Sequence, residues 1–252
     1  MRDEYDVIVA GSGPGGFPAA VAAARMGLKT LVIDQNAFLG GHLVSGLPIL
    51  GFIDRAGNKV VGGIPQELID RLLAVGGCID HRRVPVHNSL TMLNPSWTRI
   101  IISEMCAEAG IDILLYTQLT GVTVDNRNIT GIKVCCRGEE LCFKTKLLID
   151  ATGDACCAAF AGAAFEKGKK LQPPTLLFHM RNFDYAEFRK YIEEHPETMK
   201  LPVTFPGINQ TLDQFTDDKS WAFLGFCDLV EKGKRAVDFT LPRNMIDFAH
   251  WP

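Results

Sequence analysis

The chain has 252 residues, 47% of them apolar and 22% charged, with a formal net charge of −3 at pH 7. That near-balance leaves no electrostatic footprint for nucleic acid or an anionic membrane, and no apolar run approaches the roughly 20 residues of a membrane-spanning helix. Met1-Arg2-Asp3-Glu4 leads into a strand without an apolar signal region, so a cytoplasmic protein with one large domain or two modest ones is expected.

Tyr5-Asp6-Val7-Ile8-Val9-Ala10 is a short, β-branched apolar run, the pattern of a strand buried in a parallel sheet. Gly11-Ser12-Gly13-Pro14-Gly15-Gly16 follows at once as G-x-G-x-x-G. An alanine-rich helix from Phe17 to Met26 comes next, with Gly27 where a C′ glycine belongs. Pro18 removes a donor about one turn into that helix, which predicts an irregular first turn and no break. Leu28 to Ile33 reads as a second strand and ends on Asp34, 18 residues past Gly16.

Each piece has a job in holding a dinucleotide. Gly11 permits the tight turn, Gly13 lets backbone approach a pyrophosphate, and Gly16 lets helix and strand pack closely. The helix N-terminus offers unpaired N–H groups to phosphates. Asp34 is placed to accept hydrogen bonds from the adenosine ribose hydroxyls. A glycine-rich turn alone would carry little; the strand, helix and acid around it favour the nucleotide.

Beyond Gln35 to Leu39 stands a second glycine pair, Gly40-Gly41, followed by His42. This is either a flexible loop or bare backbone lying against a cofactor. Asp54 to Asn58 reads as a hairpin tip, and Pro65 opens a helix that runs to Val75 and ends at Gly76-Gly77. Residues 78–95 read as a loop carrying His81, Arg82, Arg83 and His87, either a solvated basic face or an anion site. Ser96 is the expected N-cap of a helix to Ala109, with a buried strand from Ile111 to Thr117 after it.

Val122–Asp125, Ile129–Cys136 and Leu141–Lys146 then read as three short strands joined by turns at Asp125–Asn128 and Arg137–Glu140. The chain re-enters the parallel sheet at Leu147–Asp150 and closes with Ala151-Thr152-Gly153-Asp154. A helix over Ala155–Ala164, a strand over Leu176–Met180 and a charged helix over Asp184–Glu194 are expected beyond it. The eight cysteines show no C-x-x-C spacing, so no metal site is expected and reduced, structural thiols are favoured.

Taken together, Gly11 to Gly16, Asp34, Leu39-Gly40-Gly41, Gly62-Gly63-Ile64-Pro65 and Asp150 to Asp154 resemble the FAD-dependent oxidoreductases of the glutathione-reductase-like fold. The similar branch is the group related to the heterodisulfide reductase and fumarate reductase flavoproteins, and the likeness covers about residues 4–180. It implies an α/β fold: a Rossmann-like FAD-binding domain, with a parallel sheet and a three-stranded β-meander, over residues 1–170. Part of an inserted α+β substrate or cap domain is implied over residues 171–252.

The cofactor implied is FAD, held by Gly11, Ser12, Gly13, Pro14, Gly15, Gly16, Asp34, Gln35, Gly40, Gly41, His42, Leu119, Gly153 and Asp154. Asp34 stands where many such proteins carry glutamate. The iron–sulfur cysteine motifs of heterodisulfide reductases are absent, so no cluster is carried over. Proteins similar to this chain have a late segment that returns to the flavin ring, and none is found before Pro252. The expectation is an N-terminal portion of a longer flavoprotein with the ring side of its site incomplete.

Flavin chemistry belongs to the cofactor, so the sequence speaks less clearly of the substrate, a small molecule or an electron-transfer protein. His42 and His179 are the candidates for groups near the flavin ring, with a structural histidine the competing explanation for each. Besides a flavoenzyme, a nicotinamide dehydrogenase and a non-catalytic nucleotide-binding fragment stay open.

Overall fold

Strand β1 (Glu4–Ala10) occupies an inner position of a six-stranded sheet, and Val7 to Ala10 are all at most 2% exposed. Only a strand covered on both faces has so unbroken an apolar run. In the computed structural model, which describes residues 2–84, 88–169, 171, 175–201, 221–236 and 245–250, the contacts divide the chain into two compact units. The first comprises residues 1–45, 62–77 and 94–167; the second comprises 46–61, 78–93 and 168–252.

In the first unit β1 pairs in parallel with β2 (Thr30–Ile33) on one side and β9 (Glu139–Asp150) on the other, and β2 pairs in parallel with β6 (Asp112–Leu114). Strands β7 (Thr117–Asp125) and β8 (Asn128–Cys136) complete the sheet as an antiparallel meander, in the order β6-β2-β1-β9-β8-β7. Its two turns place Asn126, Arg127, Arg137 and Gly138 at positive φ, the geometry of two-residue hairpins.

The separate strands expected at Leu141–Lys146 and Leu147–Asp150 are one. β9 pairs antiparallel with β8 from Glu139 to Lys144, and in parallel with β1 from Lys144 to Asp150. No turn residue interrupts that stretch, so the chain changes partner without leaving the sheet.

Helices α1 (Gly16–Arg25), α2 (Ile64–Ala74) and α3 (Pro95–Glu108) belong to the same unit. Helix α1 tolerates Pro18: Phe17 N–H still bonds Gly13 O and Ala19 N–H bonds Gly15 O. It ends as a Schellman motif, with Gly27 at φ +83°, Gly27 N–H on Ala24 O and Leu28 N–H on Ala23 O. Helix α3 is capped by Asn94, not Ser96. The Asn94 side chain accepts from Ser96 and Trp97 N–H, and Pro95 takes the first helical position, where no donor is needed. Helix α4 is confined to Cys156–Phe160, because Gly162 at φ +78° closes it early.

The second unit contains an antiparallel sheet of β3 (Ile49–Leu50), β5 (Asn88–Thr91) and β4 (Arg82–Val84), where a loop was expected. The central strand buries Ser89 and Thr91 completely. Ser89 Oγ accepts from Ile53 N–H, and Thr91 Oγ1 lies 2.6 Å from His81 Nδ1. Polar residues satisfied in this way hide a buried strand from any apolar pattern.

Farther along, α5 (Tyr185–Glu194) starts at the Asp184 cap, and β10 (Trp221–Gly225) pairs antiparallel with β11 (Ile246–His250). Between these strands lies α6 (Cys227–Arg235). Ile192 and Phe226 form the local core, with Phe188, Met199 and Phe248 against them. Leu176 to Met180 is exposed and forms no strand. His87 lies outside the described residues.

Candidate functional site

Three chain segments leave the carboxyl ends of three neighbouring parallel strands: residues 11–15 after β1, 34–40 after β2 and 151–155 after β9. Open α/β sheets bind ligands outside these ends. The glycines in the segments divide by what surrounds them. A Cβ on Gly11 would lie 2.3 Å from Ala151 O, and φ there is +97°. One on Gly16 would lie 1.8 Å from Gly11 O. These two are glycines because the turn and the strand–helix packing demand it.

Gly13 and Gly15 are different. A Cβ at either meets nothing within 4 Å, and neither has positive φ. The fold itself would accept a side chain at both. Bare backbone there is accounted for by a group that must come close from outside, as a pyrophosphate does at a helix N-terminus. The residues therefore fit the dinucleotide they were expected to hold.

The second glycine pair packs on the first loop. Gly40 has φ +110° and donates its N–H to Ser12 O at 3.1 Å, while a Cβ on Gly41 would lie 2.9 Å from Gly13 Cα. A one-turn 3-10 helix, Gly41–Val44, follows and carries the exposed side chain of His42.

Asp34 is only 6% exposed. One carboxylate oxygen accepts from Ser12 N–H at 2.8 Å and Ser12 Oγ at 2.5 Å. The other accepts from Asn36 N–H at 2.8 Å and Asn36 Nδ2 at 2.9 Å. Asn36 was missed from sequence; an Asn two residues after a strand-ending Asp was its only signal. Gln35 is exposed beside them. Arg99 of α3 is a second omission: its guanidinium lies 4.1 Å over the Phe38 ring in the same segment.

At the end of β9, Asp150 plays a comparable part. Its Oδ1 accepts from Thr152 Oγ1 at 2.7 Å and from Thr152 N–H at 3.2 Å, and its Oδ2 accepts from Ala158 N–H at 3.0 Å. Burial pushes this carboxyl up, but those hydrogen bonds outweigh it and hold the group below its ordinary value. Gly153 sits at φ +86° with open space around it, and Asp154 is exposed.

Leu119 lies on β7 and packs against the core cluster of Ile8, Val134 and Phe143. His179 is exposed in the second unit. Burial raises the thiols of Cys106 to about 11 and Cys157 to about 12, so neither is a ready nucleophile. No cluster of His, Cys, Asp or Glu able to hold a metal ion occurs among the described residues, nor is any helix there long and apolar enough to cross a membrane.

A parallel sheet whose first strand turns through G-x-G-x-x-G into a helix defines a Rossmann-like α/β protein. The sequence matches the FAD dependent oxidoreductase family over residues 6–251, and the chain belongs to that family. It is 28% identical over 159 residues to a digeranylgeranylglycerophospholipid reductase of Methanocella arvoryzae, covering 61% of this chain and 40% of that protein.

It is also 31% identical over 132 residues to a thiamine thiazole synthase of Aeropyrum pernix, covering 51% and 43%. A solved structure of a geranylgeranyl bacteriochlorophyll reductase-like protein from Thermoplasma acidophilum is similar at a TM-score of 0.47 and 22% identity, over 64% of this chain and 42% of that one. The chain spans about two fifths of the length of the curated relatives it matches.

Proposed function

We propose that this chain binds FAD across the carboxyl edge of β2, β1 and β9 and works as an FAD-dependent oxidoreductase. Bound FAD would supply the hydride and electron chemistry. The observation that carries the reading is the pair Gly13 and Gly15, glycines that nothing in the protein requires, in a chain of this family.

In this reading, residues 11–16 hold the pyrophosphate at the N-terminus of α1. Asp34, Gln35 and Leu119 lie at the adenosine end, and Gly40, Gly41, His42, Gly153 and Asp154 line the remainder. Residues 1–170 form the FAD-binding part and 171–252 part of a substrate or cap domain. Electrons pass to or from a small molecule or an electron-transfer protein, in the cytoplasm. His42 and His179 are candidates for groups beside the flavin ring. The ordered set from Gly11 to Asp154 supports the narrower kinship with the heterodisulfide reductase and fumarate reductase flavoproteins.

The test is the visible spectrum of the purified protein and a titration with FAD, repeated with Gly13→Val. A flavin spectrum in the wild type, lost in the variant while the fold persists, is the expected result. Equal FAD affinity in both would overturn the assignment, and no flavin uptake by the wild type would reject FAD itself.

A further inference from the structure

We propose that Tyr116, with the Arg137 guanidinium across its ring, forms the shelf on which the adenine base of the dinucleotide stacks. The proposal rests on the FAD reading above and adds a residue to the adenosine end of that site.

Tyr116 lies in the connection from β6 to β7 and is held at φ +53°. Of the other non-glycine residues at positive φ, Asn126, Arg127 and Arg137 sit in hairpin turns, and Ala155 and Phe226 stand at the N-caps of α4 and α6. A bulky side chain in this conformation is strained, whereas glycine adopts it without steric conflict. Packing does not explain why a tyrosine stands here. The residue is 54% exposed, and its hydroxyl makes no hydrogen bond among the described residues. Strain kept at an exposed aromatic ring points to a ligand that needs the ring.

The backbone around Tyr116 fixes where that ring stands. Tyr116 N–H donates to Asn36 O at 3.0 Å, and Thr117 N–H donates to Asp34 O at 2.9 Å. The ring is therefore carried just past the carboxyl ends of β6 and β2, beside the segment that starts at Asp34. Ligands of open α/β sheets lie outside those ends. With the pyrophosphate at residues 11–16, this side of the site takes the adenosine and not the flavin.

Thr117 also pairs with Cys136 at the end of the β7–β8 ladder, so Tyr116 and Arg137 are the next residues beyond its last pair. The Leu115 carbonyl accepts from Thr117 Oγ1 at 3.0 Å, which holds the same bend. The Arg137 guanidinium accordingly lies 5.6 Å from the centroid of the Tyr116 ring, within the reach of cation–π attraction. A ring backed by a guanidinium offers a flat surface to the π-face of a purine, and such stacks carry roughly five- to hundredfold in affinity.

The test uses two probes, FAD and ADP, the second carrying the adenosine half without the flavin. Binding of each is measured in wild type, Tyr116→Gly and Tyr116→Phe. Tyr116→Gly is expected to weaken both probes at least about tenfold without lowering Tm, because glycine relieves the positive φ. Tyr116→Phe, which keeps the ring, is expected to bind both within about twofold of wild type. In proton NMR the adenine C2 and C8 protons of bound ADP should move upfield in wild type and Tyr116→Phe, by the ring current of a stacked aromatic, and stay unshifted in Tyr116→Gly.

Wild-type affinity in Tyr116→Gly overturns the proposal. So does an equal loss in Tyr116→Phe, which would assign the effect to the hydroxyl. Unshifted adenine protons in the wild type overturn it even if the glycine variant fails to fold. If the wild type binds ADP and takes up no FAD, the cofactor reading fails and the ADP comparison alone rules on Tyr116; if it binds neither, both fall.

Discussion

Gly11 and Gly13 sit two residues apart in one loop and are glycines for opposite reasons. Gly11 is held at φ +97° with Ala151 O where its Cβ would be. Gly11→Ala is expected to destabilise the fold by more than about 2 kcal/mol, read as a fall in the denaturant midpoint. Gly13 faces open space. Gly13→Val is expected to change stability by about 0.5 kcal/mol or less, while weakening FAD at least roughly a hundredfold, about 2.8 kcal/mol. Equal destabilisation by both substitutions would contradict the division of roles. Sequence spacing named both residues, because the motif fixes where the chain turns. It did not separate them, since what lies beside each Cα is decided by β9, which is far away in sequence.

Among the helices, charge adds a tie that periodicity does not show. Arg25 of α1 grips Glu67 of α2 through two bonds of 2.6 and 2.8 Å, and Arg71 bonds both Glu67 and Glu108 of α3. The Arg25 hydrogen bond, with help from Arg71, draws the Glu67 carboxyl down to about 2 from its ordinary value of 4.5. A depressed folded value means that the stabilisation is complete above the ordinary carboxylate range. It is lost as pH falls from about 4.5 to about 2. Glu67→Gln should therefore lower Tm at pH 7 and converge with wild type near the bottom of that window. The loss at pH 7 is set at about 1 kcal/mol, because the pair is partly screened by solvent. Asn94→Ala removes the α3 cap and is expected to cost a further ~1 kcal/mol, measured as a shift in the unfolding midpoint.

On the scale of the molecule, each unit has its own core. In the first, Ile8, Leu31, Ile33 and Phe143, from three strands of the six-stranded sheet, belong to one buried cluster; in the second, Ile192 and Phe226 organise a smaller cluster. Ile8→Ala leaves a cavity at a fully buried site and is expected to cost about 2–5 kcal/mol. Amide exchange should rise together in β1, β2 and β9, since all three share that layer. Ile192→Ala should raise exchange in α5. A response to Ile8→Ala confined to β1 would show that the sheet does not unfold as one element.

The sequence by itself determined the parallel strands, the glycine turn, the first helix with its Gly27 stop, the meander turns and the FAD-binding family resemblance. Each of these is written locally, in apolar runs, in glycines that alone reach positive φ, and in fixed spacing. Tertiary structure alone decided that residues 139–150 are one strand, because a change of pairing partner needs no turn residue. It decided that residues 82–84 and 88–91 pair as strands, because Ser89 and Thr91 are buried with their hydroxyls satisfied across the fold. It decided the surroundings of Asp34 as well. Position along the chain places a carboxylate at the strand end, but which donors reach it depends on loops that meet only when β2, β1 and β9 lie side by side.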